Sequence, residues 1–265
     1  TRTMDTVYIN WVDIKHIESD KYLRVEATDG SFTSGRIDSE GFGDGLAIKR
    51  GDETVNVPIL SIATIQPIRA DESFWRRIEG DVKAGINFTK ASDILVTNLA
   101  SNFRLRADRY ELSLSANWNE TARANDQSSS RADLSTTYTR LLKNRWFWKT
   151  SAGFDRNQEL GIDLRALVAV TAGRYLFESP TTRFELNAGF AQNRENRTDN
   201  TVTNNTEGLI RSSLDIFKHT LPITTLTANV SAFPGITETD RLRINADITL
   251  RNEIIRSVFW DLSVY

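Results

Sequence analysis

From Ile78 onward the chain alternates apolar and polar residues almost without interruption. That period places successive side chains on opposite faces of a β-strand. Residues 109–119 put Tyr110, Leu112, Leu114, Ala116 and Trp118 on one face, with Arg109, Glu111, Ser113, Ser115, Asn117 and Asn119 on the other. Residues 241–251 repeat the scheme, setting Leu242, Ile244, Ala246, Ile248 and Leu250 against Arg241, Arg243, Asn245, Asp247 and Arg251. Similar segments start near Ile78, Ser92, Arg131, Arg145, Gly161, Arg183, Gly208, Ile223 and Ile255, so eleven strands are predicted. No helix-period segment of useful length interrupts them.

Residues 1–70 predict a separate small β-module with an internal repeat. "DTVYINWVDIKHIESD" at 5–20 matches "ETVNVPILSIATIQPI" at 53–68, pairing Val7 with Val55, Ile9 with Val57, Val12 with Leu60, Ile14 with Ile62 and Ile17 with Ile65. Repeats of this kind mark duplicated structural units. Strand-like segments 21–27, 31–37 and 45–49, split by Asp-Gly and Gly-rich turns, precede only the second copy. Residues 1–20 are therefore expected to be the tail of an earlier unit, with the chain beginning upstream of Thr1. Pro67 and the charged residues 69–72 form the joint to the second region, 75–265.

Alternation alone describes a soluble β-sandwich, the commoner case. Four features point to lipid instead. Strands of eleven or more residues exceed the ordinary ~5–6 and suit a tilted crossing of ~9–11. Outward aromatics gather at two levels, with Phe103, Tyr110, Tyr138, Trp146 and Phe184 at one end and Phe88, Trp118, Phe154 and Phe190 at the other. Such girdles mark the two interfaces of a bilayer. The outward cations Arg140, Arg174 and Lys218 share one end, where they can reach headgroups. Finally, the connections at 107–109, 142–145 and 252–254 are tight, while those at 121–130 and 194–207 are expected to be long polar loops. Outer-membrane barrels have that asymmetry, and the short turn at 90–93 is its one exception.

The inward face carries both signs of charge. Its cations include Lys83, Arg104, Arg165, Arg183, Arg211 and Arg243, and its anions include Glu111, Asp133, Glu185 and Asp247. A selective pore shows a bias of one sign. The balance instead predicts paired charges that fill a narrow lumen, with a weakly selective path as the other possibility.

Chemistry adds little to this picture. Of the 265 residues none is cysteine and two are histidines, His16 and His219, so disulfides and Cys-based metal sites are excluded. The net charge of −2, without a basic face, excludes nucleic acid as a partner. No Ser-His-acid constellation can be placed around either histidine. "GFGDG" at 41–45 precedes no helix and is a turn instead of a phosphate cradle. No cofactor, metal or catalytic residue is expected.

Four stretches carry a family resemblance: "GDVKAGINFTKASD", "LRADRYELSLSANW", "NRWFWKTSAGFDRNQELGIDLRALVAVTAGRYLF" and "RLRINADITLRN". The chain resembles the salt-induced outer-membrane proteins from Gly80 to Tyr265. The resemblance implies a barrel of about twelve strands and assigns no catalytic residue. Eleven strands are visible here, and the last is expected beyond Tyr265. The expectation is an all-β protein, a small β-module followed by an antiparallel transmembrane β-barrel. It would sit in a bacterial outer membrane with the module in the periplasm, structural or weakly conducting, and without catalysis. Its partners would be outer-membrane lipid and a periplasmic protein or a second copy. The alternatives are an envelope adaptor whose module grips a periplasmic partner and a small-solute porin.

Overall fold

The computed structural model describes residues 17, 19–38, 45–68, 72–90, 93–123, 126–218, 222–238, 240–255 and 258–264. Within them the chain is all-β, in antiparallel sheets of five and eleven strands. Helical turns are confined to the 3-10 segments Ile59–Ser61, Phe74–Arg77 and Gln158–Leu160. No helix among the described residues is long and apolar enough to cross a membrane.

The small sheet contains β1 (Tyr22–Ala27), β2 (Phe32–Ile37), β3 (Gly45–Arg50), β4 (Glu53–Pro58) and β5 (Ile62–Pro67), in the order β4-β3-β2-β1-β5. Val25, Leu46, Ile48 and Ile62 form its core, with Ile17, Ile37, Val57 and Ile65 packed against them. Ile17 and Ile65 hold the same position in the two repeat copies and lean on one core. Residues 5–16 and 18 of the first copy, both histidines and residues 41–44 lie outside the described residues. At the β1–β2 turn Asp29 accepts hydrogen bonds from the Ser31 backbone N–H at 2.8 Å and hydroxyl at 2.7 Å. Those bonds hold its carboxyl below the usual range. Gly30 follows at φ +83°, which favours glycine.

The large sheet runs in strict sequence order as β6 (Ile78–Thr89), β7 (Ile94–Arg106), β8 (Tyr110–Arg123), β9 (Asp126–Leu141), β10 (Trp146–Asn157), β11 (Ile162–Glu178), β12 (Thr182–Arg197), β13 (Val202–Lys218), β14 (Thr224–Pro234), β15 (Leu242–Ile255) and β16 (Val258–Val264). Antiparallel neighbours on one face stay on one face, so the register sorts the sheet into a charged face and an apolar face. The near end carries the turns at 107–109, 142–145 and 179–181. The far end carries those at 158–161 and 198–201.

The two long polar loops expected at 121–130 and 194–207 are strand. β8 and β9 remain paired to Arg123↔Asp126, and β12 and β13 to Asn196↔Val202. Only residues 124–125 and 198–201 connect them. The far-end hairpins stay within the ladder, with β7 following β8 to Ile94↔Arg123 and β11 following β12 to Ile162↔Arg197, so the polar stretches extend the sheet instead of forming loops. β11 and β13 have 17 residues each. At roughly 3.3 Å per residue that makes about 56 Å.

The sheet curls toward its charged face. Lys149 of β10 reaches Glu185 of β12 at 2.5 Å over the intervening strand. Arg183 of β12 and Glu111 of β8 interact electrostatically although they are four strands apart. In a flat sheet that separation would be about 19 Å at ~4.8 Å per strand.

Gly189 marks the tightest approach between paired strands of the sheet. A Cβ there would run into the Val170 carbonyl and come within 2.7 Å of the Thr171 Cα, both backbone. A Cβ at Gly153 would meet nothing nearer than the Leu134 carbonyl at 3.9 Å. Gly189→Ala should destabilise the sheet by about 1–3 kcal/mol, the usual range for overpacking, while Gly153→Ala leaves it close to wild type. Urea midpoints of the two variants test this, and equal midpoints would refute the close approach.

Candidate functional site

All ten inward candidates fall on the charged face. Lys83, Asp133 and Arg165 share one level of the ladder, which runs Lys83, Ala100, Asn117, Asp133, Asp155, Arg165 and Glu195. Arg104 stands level with Glu79 and Ser113, and Glu111 with Arg106 and Thr139. Arg183 and Glu185 stand opposite Asp215 and Ser213, Arg211 opposite Ser231, Asp247 opposite Asn229 and Arg243 opposite Phe233.

The pairing differs from a lumen filled by bonds across it. Arg165 meets Glu195 at 2.9 Å, Arg106 meets Glu79 at 3.1 Å, and Arg183 meets Glu178 at 3.6 Å. These pairs, with Lys149–Glu185 and Arg243–Glu207, join strands no more than two apart, so they run along the wall. Arg243 binds Glu207 of β13 at 2.9 Å, not its strand neighbour Asp247, and its guanidinium lies 3.8 Å from the Phe233 ring. Glu195 and Glu207 are buried carboxylates within the stretch expected to be loop. Treating that stretch as loop removed them from the charge balance.

The charged face is not uniformly polar. Ala169, Ala191, Leu209 and Phe233 cluster on it with Leu167, and Leu141, Phe147 and Tyr175 form a second cluster nearer the near end. Phe147 is fully buried and carries the Lys149 ammonium 4.5 Å from its ring. The apolar partners lower the local dielectric and strengthen the adjacent pairs.

At the near end the module meets the sheet. Arg24 of β1 is fully buried. It donates to the Ala107 carbonyl at 2.9 Å, to Gln66 at 2.9 Å and to the Glu111 carboxylate. Its Nε lies 2.8 Å from Glu26, which interacts in turn with Glu178 and Arg183 at the ends of β11 and β12. Gly30 abuts Arg145 in the β9–β10 turn, and Arg50 reaches Asp108 at 3.7 Å. β1 thus lies over the rim from the β7–β8 turn to β11. The strand "YLRVEA" looks like any half-polar strand, and sequence offers no signal that Arg24 belongs with Glu111, 87 residues on.

All eight girdle candidates lie on the apolar face. Phe88 stands level with Leu95 and Ala122 of β8, and Phe190 with Val170, Thr150, Tyr138 and Leu112 of β8. Trp118 and Phe154 fall in between, so this row descends obliquely from β6 to β12. In the near-end row Tyr138 stands level with Leu112, two residues above Tyr110, and from Tyr138 through Trp146 to Phe184 the row descends in the same sense. Tyr110 stacks on Tyr138 with centroids 5.8 Å apart, and Trp146 carries the Arg174 guanidinium at 5.9 Å. The aliphatic band between the rows is bare, with Val168, Val170 and Ile210 each about half exposed.

No three carboxylates or histidines among the described residues gather into a metal-binding group. Removing one member of the Arg243–Glu207 pair leaves the other charge stranded. Arg243→Ala should cost stability at the lower end of about 3–5 kcal/mol, because Arg243 keeps 27% of its side chain exposed. Replacing both with Leu and Met should recover part of it. A double variant no more stable than Arg243→Ala in urea unfolding would contradict the pairing.

No curated protein and no solved structure matches the chain. Residues 82–264, which are the large sheet almost entire, match the family described as "Protein of unknown function, DUF481", and the chain belongs to that family.

Proposed function

We propose that the chain is an outer-membrane β-barrel protein of the Gram-negative envelope, structural or weakly conducting and without catalysis. The eleven-stranded sheet encloses its charged face, and the module lies in the periplasm. One observation carries the reading. The apolar face exposes a continuous aliphatic band bordered by two parallel oblique rows of aromatics. Water does not tolerate an apolar surface of that extent, whereas a bilayer selects both the band and its borders. The obliquity fits strands tilted by roughly 35–45° in a barrel. On β12 the outward residues are Phe184, Leu186, Ala188 and Phe190, followed by Gln192, Arg194 and Asn196. The apolar stretch thus stops where lipid would end. The resemblance to salt-induced outer-membrane proteins implies the same location.

Leu114 and Ser115 are adjacent and face opposite ways, which makes them the sharpest test. An arginine at Leu114 would stand in hydrocarbon, at a cost of about 2–4 kcal/mol near the midplane. An arginine at Ser115 would join the charged face. Leu114→Arg should lose most folding into lipid vesicles, while Ser115→Arg folds nearly as wild type. Equal loss for the two would remove the lipid assignment.

A further inference from the structure

β1 of the module is buried on both faces. Leu23, Arg24, Val25, Glu26 and Ala27 are all shielded from solvent. Val25 belongs to the module's own core. Arg24 and Glu26 point the other way, into the rim of the large sheet. The module therefore keeps its hydrophobic core whether or not it is docked. What docking buries is charge, and water can take the place of these partners on release. Beside them Gly30 abuts the stem and backbone of Arg145, and Arg50 reaches Asp108. An interface built this way is separable.

We propose that the N-terminal module is a stopper in the near-end mouth of the barrel, latched by Arg24, and that its release opens a path for small hydrophilic solutes. This rests on the barrel reading above. The ion pairs named above run along the wall, and β1 lies over the rim from the β7–β8 turn to β11, so in a closed barrel the module would stand at the mouth. Arg24 sits among three carboxylates, Glu26, Glu111 and Glu178. Its guanidinium is the cation that the module contributes to this group, the rim supplying Arg183. Without Arg24 the module loses its bonds to the Ala107 carbonyl and the Glu111 carboxylate, and Glu26 is left facing two rim acids with Arg183 as the cation they share, so the module's hold on the rim loosens. The path behind the stopper is lined by both signs of charge, so it favours neither anions nor cations strongly.

The test uses the full chain in planar bilayers, with potassium chloride as the probe. Wild type should conduct poorly, Arg24→Ala severalfold more, and Lys49→Ala, a change on the module's exposed surface, no more than wild type. Because the chain lacks cysteine, a latch can be added at a second contact, the Arg50–Asp108 pair, whose charged groups lie 3.7 Å apart. Arg50→Cys with Asp108→Cys, built into Arg24→Ala and bridged by a reducible bis-maleimide, should conduct as little as wild type when bridged and open on reduction. Equal conductance of wild type and Arg24→Ala overturns the stopper, as does a latched form unaffected by reduction. Flotation with lipid vesicles separates the two failures. A chain that floats but conducts alike in every form sinks the stopper alone, whereas one that does not float sinks the barrel reading and the stopper with it.

Discussion

The register of the eleven-strand ladder is the constraint from which the rest follows. Side chains alternate with period two, so a slip of one residue in any hairpin would exchange its faces. Arg165, Glu195 and Glu207 would then stand among Val168, Val170 and Phe190 on the apolar side. The penalty for that exchange is large whether the apolar face meets lipid or another apolar surface, because unpaired charges would lose water without gaining partners. The ladder is held in turn by tight near-end turns, among them the 142–145 turn with Asn144 and Arg145 at positive φ. Irregularities are confined to strand ends, as at Ile162/Leu164 and Tyr175/Phe177 of β11. The middle of the sheet keeps its alternation unbroken.

Charge is organised on this scaffold at two levels. Along the wall, pairs such as Lys149–Glu185 and Arg165–Glu195 satisfy groups that curvature has brought together. At the rim, Arg24 comes from a different sheet and meets groups already in place. The first set belongs to the fold of one sheet. The second couples two sheets that have separate cores, and coupling of that sort can be lost without unfolding either.

The alternation made the strands and their faces legible because half of every strand had to be apolar. Where that requirement lapses, so does the signal. Residues 192–197 read Gln, Asn, Arg, Glu, Asn, Arg, polar on both faces, and 202–207 are similar. Such ribbons resemble loops in sequence, and the buried acids Glu195 and Glu207 were hidden with them. Phe147 escaped notice for the opposite reason. "WFW" is aromatic on both faces, and only the neighbouring Tyr175 explains why the middle ring turns toward the charges. Arg24 was illegible in principle, since nothing local to β1 names a partner so far along the chain. The module's repeat was visible as a pattern, yet that Ile17 packs on the core of the following unit required the structure.

The laddered far-end hairpins have a practical corollary for anyone decorating this protein. Their flanks are laddered from Gln192↔Thr206 to Asn196↔Val202, so an insertion within them would break paired backbone. The tip is another matter. Asn200 already adopts φ 63°, and Asp199 is anchored only to Thr201 within the same turn. An epitope spliced between Asp199 and Asn200 would ride on the tip of a hairpin whose β12 flank stays laddered to β11 as far as Ile162↔Arg197. The β12–β13 tip is in effect a display site braced on three strands.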